Sequence, residues 1–208
     1  MNCLAIIGAS GHGRVVAEAA FLAGWDNILF YDDSWPVLQS NFHWPVVGNT
    51  QSLLHEKSRL DAVIVAIGDN NKRLRIGKQL SDEGFTLASI VHPSAIVSQF
   101  SKVGAGCFVA AGSVININAK IGDSVIVNTA AIIEHDCSVA DGCHISPNAS
   151  LAGSVKVGQC SWVGINACVR QKIVISAGVK IGAGSVVVED IAENITVVGN
   201  PAKPISKA

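Results

Sequence analysis

Val127-Asn128-Thr129-Ala130-Ala131-Ile132-Ile133-Glu134-His135-Asp136-Cys137-Ser138-Val139 places an aliphatic side chain at its first, seventh and thirteenth positions. The interval of six continues both ways without a miss, from Val91, Val97 and Val103 to Ile175, Ile181 and Val187, seventeen positions in all. Four residues after each stands a second, mostly small side chain, among them Cys107, Ser113, Ala119, Ala131, Cys137 and Ala149. A period of six fits neither an amphipathic helix nor an isolated hairpin. It fits a chain wound as a triangular prism, with one short strand per side and one bend per corner. The aliphatic side chain points inward, and the small residue lets the chain turn beside it. Stacked coils then pair their backbones about 4.8 Å apart, which is the hexapeptide-repeat β-helix. At three hexads per coil the repeat makes between five and six coils. It begins around His92-Pro93 and closes near Glu189-Asp190; the tail from Val197 to Lys203 is read as extended, turn-rich and leaving the prism.

A different pattern precedes the repeat. Cys3 to Ile7 is a short apolar strand running into Gly8-Ala9-Ser10-Gly11-His12-Gly13, and a helix-compatible segment from Arg14 to Ala23 follows, ended by Gly24. A second strand, Ile28 to Tyr31, leads to Asp32-Asp33. A third, Ala62 to Ile67, ends at Gly68-Asp69-Asn70 before a helix reaching about Glu83. Strand, glycine turn, helix, strand, acid is the order of a parallel βαβ nucleotide-binding unit. Glycines let backbone approach phosphate, and the helix N-terminus offers free N–H groups. The spacing is G-x-x-G-x-G, not G-x-G-x-x-G, and fewer than 90 residues precede the repeat. That leaves room for half a dinucleotide fold, so one nucleotide or nucleotide-sugar is expected and NAD is not. Asp32 and Asp33 are placed to accept hydrogen bonds from a ribose or base. Residues 34–60, with Trp35, Pro36, Trp44 and Pro45, read as a linker. The expected fold is α/β plus β: a small Rossmann-like βαβ domain over residues 1–88, then a parallel β-helix over 89–208.

Composition narrows the function. Hydrophobic residues make up 49% of the chain and charged residues 15%, with a net charge of −1 and no Lys/Arg-rich run, so no nucleic-acid footprint is present. The longest apolar runs, such as Ala62 to Ile67, are too short to span a bilayer. Met1-Asn2-Cys3 leads straight into a strand, which reads as an unsecreted, cytoplasmic chain. Six cysteines show neither a CxxC pair nor zinc spacing and read as small buried hydrophobes kept reduced; no metal is expected.

Ionisable residues are sparse inside the repeat, which gives weight to Glu134-His135-Asp136. Histidine titrates nearest neutral pH, and a carboxylate on one ring nitrogen leaves the other free to take a proton from a nucleophile. A corner bend allows either Glu134 or Asp136 to be that carboxylate. His144 lies nine residues on, half of an eighteen-residue coil, so the two histidines fall on opposite sides of one prism. If both serve one site, it lies between neighbouring prisms, and a heterologous contact of this kind closes into a ring, with three subunits suggested by the prism.

Gly8-Ala9-Ser10-Gly11-His12-Gly13, Asn128-Thr129, Ile133-Glu134-His135-Asp136, Cys143-His144-Ile145-Ser146, Leu151-Ala152-Gly153, Val163-Gly164-Ile165-Asn166 and Gly199-Asn200-Pro201-Ala202-Lys203 carry a family resemblance. Over nearly its whole length the chain resembles bacterial sugar acetyltransferases with an N-terminal nucleotide-binding domain and a left-handed β-helix. That family comprises N-acetyltransferases of nucleotide-linked 4-amino-4,6-dideoxy sugars and sialic acid O-acetyltransferases. The resemblance implies acetyl-CoA as co-substrate and a homotrimer with sites between subunits. It implies His135 as general base oriented by Asp136, and His144 from a neighbouring subunit at the acetyl carbonyl. Gly153 and Gly164 would lie along the acetyl-CoA, Gly153 offering its N–H, and Pro201 and Lys203 would line the adenine end. Gly8, Ser10, Gly11, His12, Gly13, Asp32, Asp33 and Gly68 would bind the nucleotide-linked amino sugar, and Arg14 would meet its pyrophosphate. The activity expected is acetyl transfer to the amine at C4, in a pathway of polysaccharide or O-antigen type. Rival readings are O-acetylation of a sialic-acid-type sugar and a non-enzymatic nucleotide-sugar-binding scaffold.

Overall fold

The computed structural model describes residues 2–205. Strand β1 (Cys3–Ile7) is wholly buried and pairs in parallel with β2 (Asn27–Tyr31) on one side and β5 (Ala62–Val65) on the other. The chain leaves β1 in one direction through α1 (Gly11–Leu22) and later returns to its other edge, so the carboxyl ends of β1 and β5 form a topological switch point. Gly8 takes φ +105°, a conformation that L side chains rarely adopt, and a Cβ on Gly13 would overlap the Gly8 carbonyl. Helix α1 starts inside the glycine motif, three residues ahead of Arg14, because this close approach allows the helix to begin there.

Residues 34–60 are not a linker. They hold β3 (Ser40–Asn41), β4 (Trp44–Gly48), α2 (Thr50–Leu53) and a 3₁₀ turn at Lys57–Arg59. Strand β4 joins the sheet in parallel beside β2, giving the order β3-β4-β2-β1-β5. Val46 and Gly48 face inward while Pro45 and Val47 are exposed, a period-two pattern hidden by the flanking tryptophan and prolines. Helix α3 (Asn70–Asp82), capped by the Asp69 carboxylate on the Lys72 N–H, covers the sheet from its other face.

From Ile90 the chain winds a left-handed β-helix of seventeen two-residue strands, ending at Val186–Val187. Each strand pairs in parallel with the one eighteen residues on, for example Ile132↔Ser150 and Ile126↔His144. Three ladders result. The first face carries Ile90, Phe108, Ile126, His144, Trp162 and Lys180; the second begins at Ile96–Val97; the third begins at Lys102–Val103. The hexad aliphatics and small residues form one continuous interior column.

The turn itself falls one residue earlier than the small side chain. Fourteen consecutive positions, every sixth residue from Gly106 to Gly184, have positive φ, and Asp136 is one of them at 62°. The small residue that follows points inward and is buried, Cys107, Cys137 and Cys143 among them, whereas Cys160 is a half-buried corner residue and Cys168, expected to be buried, is outward and exposed. The tail does not leave the prism. Thr196–Val198 pairs in parallel with Lys180–Ile181, sixteen residues back instead of eighteen, and Lys203–Ile205 folds antiparallel onto it.

The first domain sits on the first face. Val16, Ala17 and Ala20 of α1 share one apolar cluster with Ile90, Phe108 and Ile126. Beside it Arg73, 1% exposed, donates to the carbonyls of Ser124, Gly142 and Cys143 in the β-helix and of Ile67 and Gly68 in its own domain. Asn70 donates to the Cys160 and Ser161 carbonyls. Burial lowers the Arg73 pKa to about 10, which leaves it charged at ordinary pH.

Candidate active site

His135 stands in the bend between the second and third faces, and Asp136 is the left-handed corner residue of that bend. The positive φ rotates the Asp136 side chain back to its neighbour, so Nδ1 of His135 lies 2.8 Å from Asp136 Oδ2. The other Asp136 oxygen accepts from Asn118 Nδ2 at 2.6 Å, one coil away. The bond to His135 first, and that to Asn118 second, lower the pKa of Asp136. A carboxylate on Nδ1 keeps the proton there and leaves Nε2 as the basic nitrogen. Glu134 turns elsewhere: its Oε2 accepts from Asn116 Nδ2 at 2.9 Å. The orienting acid in this geometry is therefore Asp136.

Gly153 lies eighteen residues on, directly against the imidazole. A Cβ there would stand 2.6 Å from His135 Cε1 and 2.7 Å from Nε2. The His135 side chain is 57% exposed, so the ring is open to solvent on the side away from Gly153 and Asp136.

His144 is on the first face, the side of the triangle opposite the His135 bend. Its ring stacks flat on Trp162, centroids 5.7 Å apart and planes 5° from parallel, and its Nε2 faces Asn128 Nδ2 at 3.0 Å. Burial, then the charges of Arg73 and His12, lower its pKa to about 3. His144, Trp162, Gly164, Ile165 and Lys180 line an apolar cleft of about 390 Å³. Pro201 and Lys203 are exposed on the hairpin that extends the same ladder, where Lys203 Nζ reaches Glu189 at 3.4 Å. Gly164 is pressed against the Ile181 carbonyl, which leaves no room for a side chain.

At the switch point a crevice of about 330 Å³ is lined by Gly8, Ser10, Asp32, Asp33, Thr50, Gly68 and Lys72, among others. Asp32 is already engaged: its oxygens accept from the N–H groups of Ala9 at 2.8 Å and Ser34 at 2.9 Å. Burial acts to raise its pKa, but these N–H groups win and lower it. Among the described residues Asp33 accepts one longer bond, 3.3 Å from the Thr50 N–H.

Gly11, His12, Gly13 and Arg14 do not line this crevice; Gly11, the first residue of α1, is exposed. Gly13 is buried against Gly8. His12 turns toward the β-helix, its ring edge-on to Phe108 at 5.5 Å, and its buried Nε2 has no partner among the described residues. Burial, then Arg73, lower its pKa to about 4. Arg14 points away, with its Nε on Asn41 at 3.0 Å and its guanidinium over Phe42. Lys72 and Trp162 are the residues lining these clefts that sequence reasoning passed over, and Asn128, quoted within a motif, was given no role. The eighteen-residue coil gives the signal for Trp162, which is one coil beyond His144. Among the described residues no group of three or more His, Cys, Asp or Glu side chains is arranged to hold a metal, and no helix is long and apolar enough to cross a membrane.

A hexapeptide β-helix with a carboxylate-oriented histidine at its corner, joined to a nucleotide-sized crevice, defines a hexapeptide-repeat acetyltransferase of two domains. Residues 3–80 match the PglD N-terminal domain. UDP-N-acetylbacillosamine N-acetyltransferase of Bacillus subtilis (strain 168) is 33% identical over 114 residues, 53% of this chain and 52% of that protein, so the match spans about half of the relative. The acetyltransferase domain of PglB from Neisseria gonorrhoeae FA1090 in complex with acetyl coenzyme A is 42% identical, with a TM-score of 0.95 over 99% of this chain and 100% of that one. PerB from Caulobacter crescentus in complex with CoA and GDP-perosamine is 37% identical, with a TM-score of 0.94 over 99% of this chain and 98% of that one. The chain belongs to the family of bacterial N-acetyltransferases of nucleotide-linked amino sugars.

Proposed function

We propose that this chain transfers the acetyl group of acetyl-CoA to the C4 amine of a nucleotide-linked amino-dideoxy sugar, as a cytoplasmic homotrimer with sites between subunits. The observation that carries the reading is the pair formed by Asp136 and His135, whose bare Nε2 faces outward over a glycine. Such a nitrogen suits a general base. The sugar amine attacks the thioester carbonyl, a C–N bond forms, and the C–S bond breaks. His135 takes the amine proton, and the departing sulfur carries the electron pair away as thiolate. Direct transfer suffices, because the thioester is already activated. Gly153, whose N–H donates to no other group among the described residues, supports the expectation that it meets the thioester.

The opposed positions of His135 and His144 support a site completed by a second subunit. His144 would then meet the acetyl carbonyl from across the interface, with the CoA arm along the cleft that ends at Lys180 and the Lys203 hairpin. The relatives' complexes support acetyl-CoA and a nucleotide amino sugar as the substrates here. Free thiol released from acetyl-CoA, measured against a panel of nucleotide-linked 4-amino sugars and sialic acids, tests this. Turnover with an amino sugar is expected. Turnover confined to sugar hydroxyls, or none at all, contradicts it. His135→Ala should lower kcat by about a hundredfold or more with acetyl-CoA binding retained.

A further inference from the structure

The surroundings of His144 fix more than its position. The Thr129 N–H donates to Asn128 Oδ1 at 2.8 Å, which settles how the Asn128 amide is turned. Its Nδ2, a group that only donates, therefore faces His144 Nε2 at 3.0 Å. That nitrogen must accept, so it carries no proton. An imidazolium would set N–H against N–H at this contact. On the first face the Trp162 ring lies parallel to the imidazole, and Trp162 is itself pinned by its Nε1–H on Oγ of the buried Ser146 at 2.6 Å. The groups of the other domain whose charge bears on His144 are Arg73 of α3 and His12 of α1. Neither offers a carboxylate that would reward protonation. Nδ1 is the ring nitrogen left without a protein partner among the described residues, and the ring borders the apolar cleft.

We propose that Asn128 and Trp162 are positioning residues that hold His144 as the neutral imidazole protonated on Nδ1, which makes Nδ1–H a fixed hydrogen-bond donor for the acyl carbonyl. This rests on the function proposed above. It assigns opposite roles to the two histidines. His135 keeps Nε2 bare and takes a proton, whereas His144 keeps Nδ1 protonated and lends one without giving it up. A donor that never ionises adds no acid limb to the pH profile and needs no reorganisation as charge develops on the carbonyl oxygen.

The tautomer is read directly from ¹⁵N–¹H correlation of the imidazole nitrogens in the full-length, ligand-free chain. Between about pH 7.5 and pH 5 His144 should keep the neutral pattern with the proton on Nδ1. Asn128→Asp replaces the donor with an acceptor, so the proton should move to Nε2 or the ring should become charged in that range. The variant should lose at least tenfold in kcat with a much smaller change in KM for acetyl-CoA, and should gain a new pH-dependent limb. Trp162→Phe, which keeps a flat ring against His144, should retain the Nδ1–H pattern. A wild-type spectrum showing Nε2–H or imidazolium near neutral pH overturns the proposal, and so does an unchanged pattern in Asn128→Asp. The wild-type spectrum decides alone if the variant does not fold. Absence of turnover with every acceptor would overturn the functional reading instead, and is told apart because the tautomer is read without substrate.

Discussion

At the corner of the prism, residues one coil to either side hold the pair formed by His135 and Asp136. Asn118 lies one coil before Asp136 and takes one of its oxygens; Gly153 lies one coil after His135 and gives its ring a flat seat. Gly153→Ala would put a methyl 2.6 Å from Cε1, and the ring must swing off its bond to Asp136. Turnover should fall by about tenfold or more with unchanged circular dichroism, the loss of a near-attack geometry; kinetics within about twofold of wild type would show that the seat does not matter. These contacts were legible in principle, since the coil length alone pairs residue n with n±18. The choice between Glu134 and Asp136 was not, because it depends on which residue takes the left-handed corner. Trp162 was passed over for a related reason. An outward aromatic on a β-helix face looks like ordinary surface until the residue one coil back is seen to be a histidine stacked on it.

The strands and bends show where a sequence pattern carries its meaning. The aliphatic clock marks the interior correctly, yet the small residue that seemed to make the bend is an inward packing residue. The bend belongs to the position before it, where eight of the fourteen left-handed residues are glycine or asparagine. Ala130 holds φ 54° there without either advantage. Ala130→Gly should therefore stabilise the chain, by about 0.5–1 kcal/mol, seen as a rise of about 2–3 °C in Tm; a fall in Tm would contradict the strain. Leu151, wholly buried between the coils of the active-site bend, should cost about 2–5 kcal/mol as Leu151→Ala, read from chemical denaturation. The region over residues 34–60 was misread because two tryptophans and two prolines masked a two-residue alternation, and the tail because a coil shortened to sixteen residues breaks the clock without ending the ladder.

Across the whole molecule the first domain and the β-helix form one body, joined by the α1 apolar cluster and by Arg73 and Asn70. This junction buries two neutral histidines. His12 and His144 titrate near 6.5 when unfolded, but at about 4 and about 3 in the folded chain. Below 6.5 the unfolded chain binds protons that the folded chain refuses, so this stability is complete above pH 6.5 and drains away as pH falls toward the folded values. Thermal melts should show Tm declining from about pH 6.5 downward, less steeply in His12→Asn; equal slopes would contradict the assignment of His12.

The same architecture sets His135 and His144 on opposite sides of each prism, so the proposed site, if it uses both, draws them from different chains. The direct measurement is complementation. His135→Ala and His144→Ala chains, each inactive alone, are unfolded together, refolded in equal amounts and assayed for acetyl transfer. If each site takes His135 from one subunit and His144 from the next, about a quarter of the sites are rebuilt intact and that share of wild-type turnover returns. If the mixture stays as inactive as its components, the site lies within a single chain and the account is wrong.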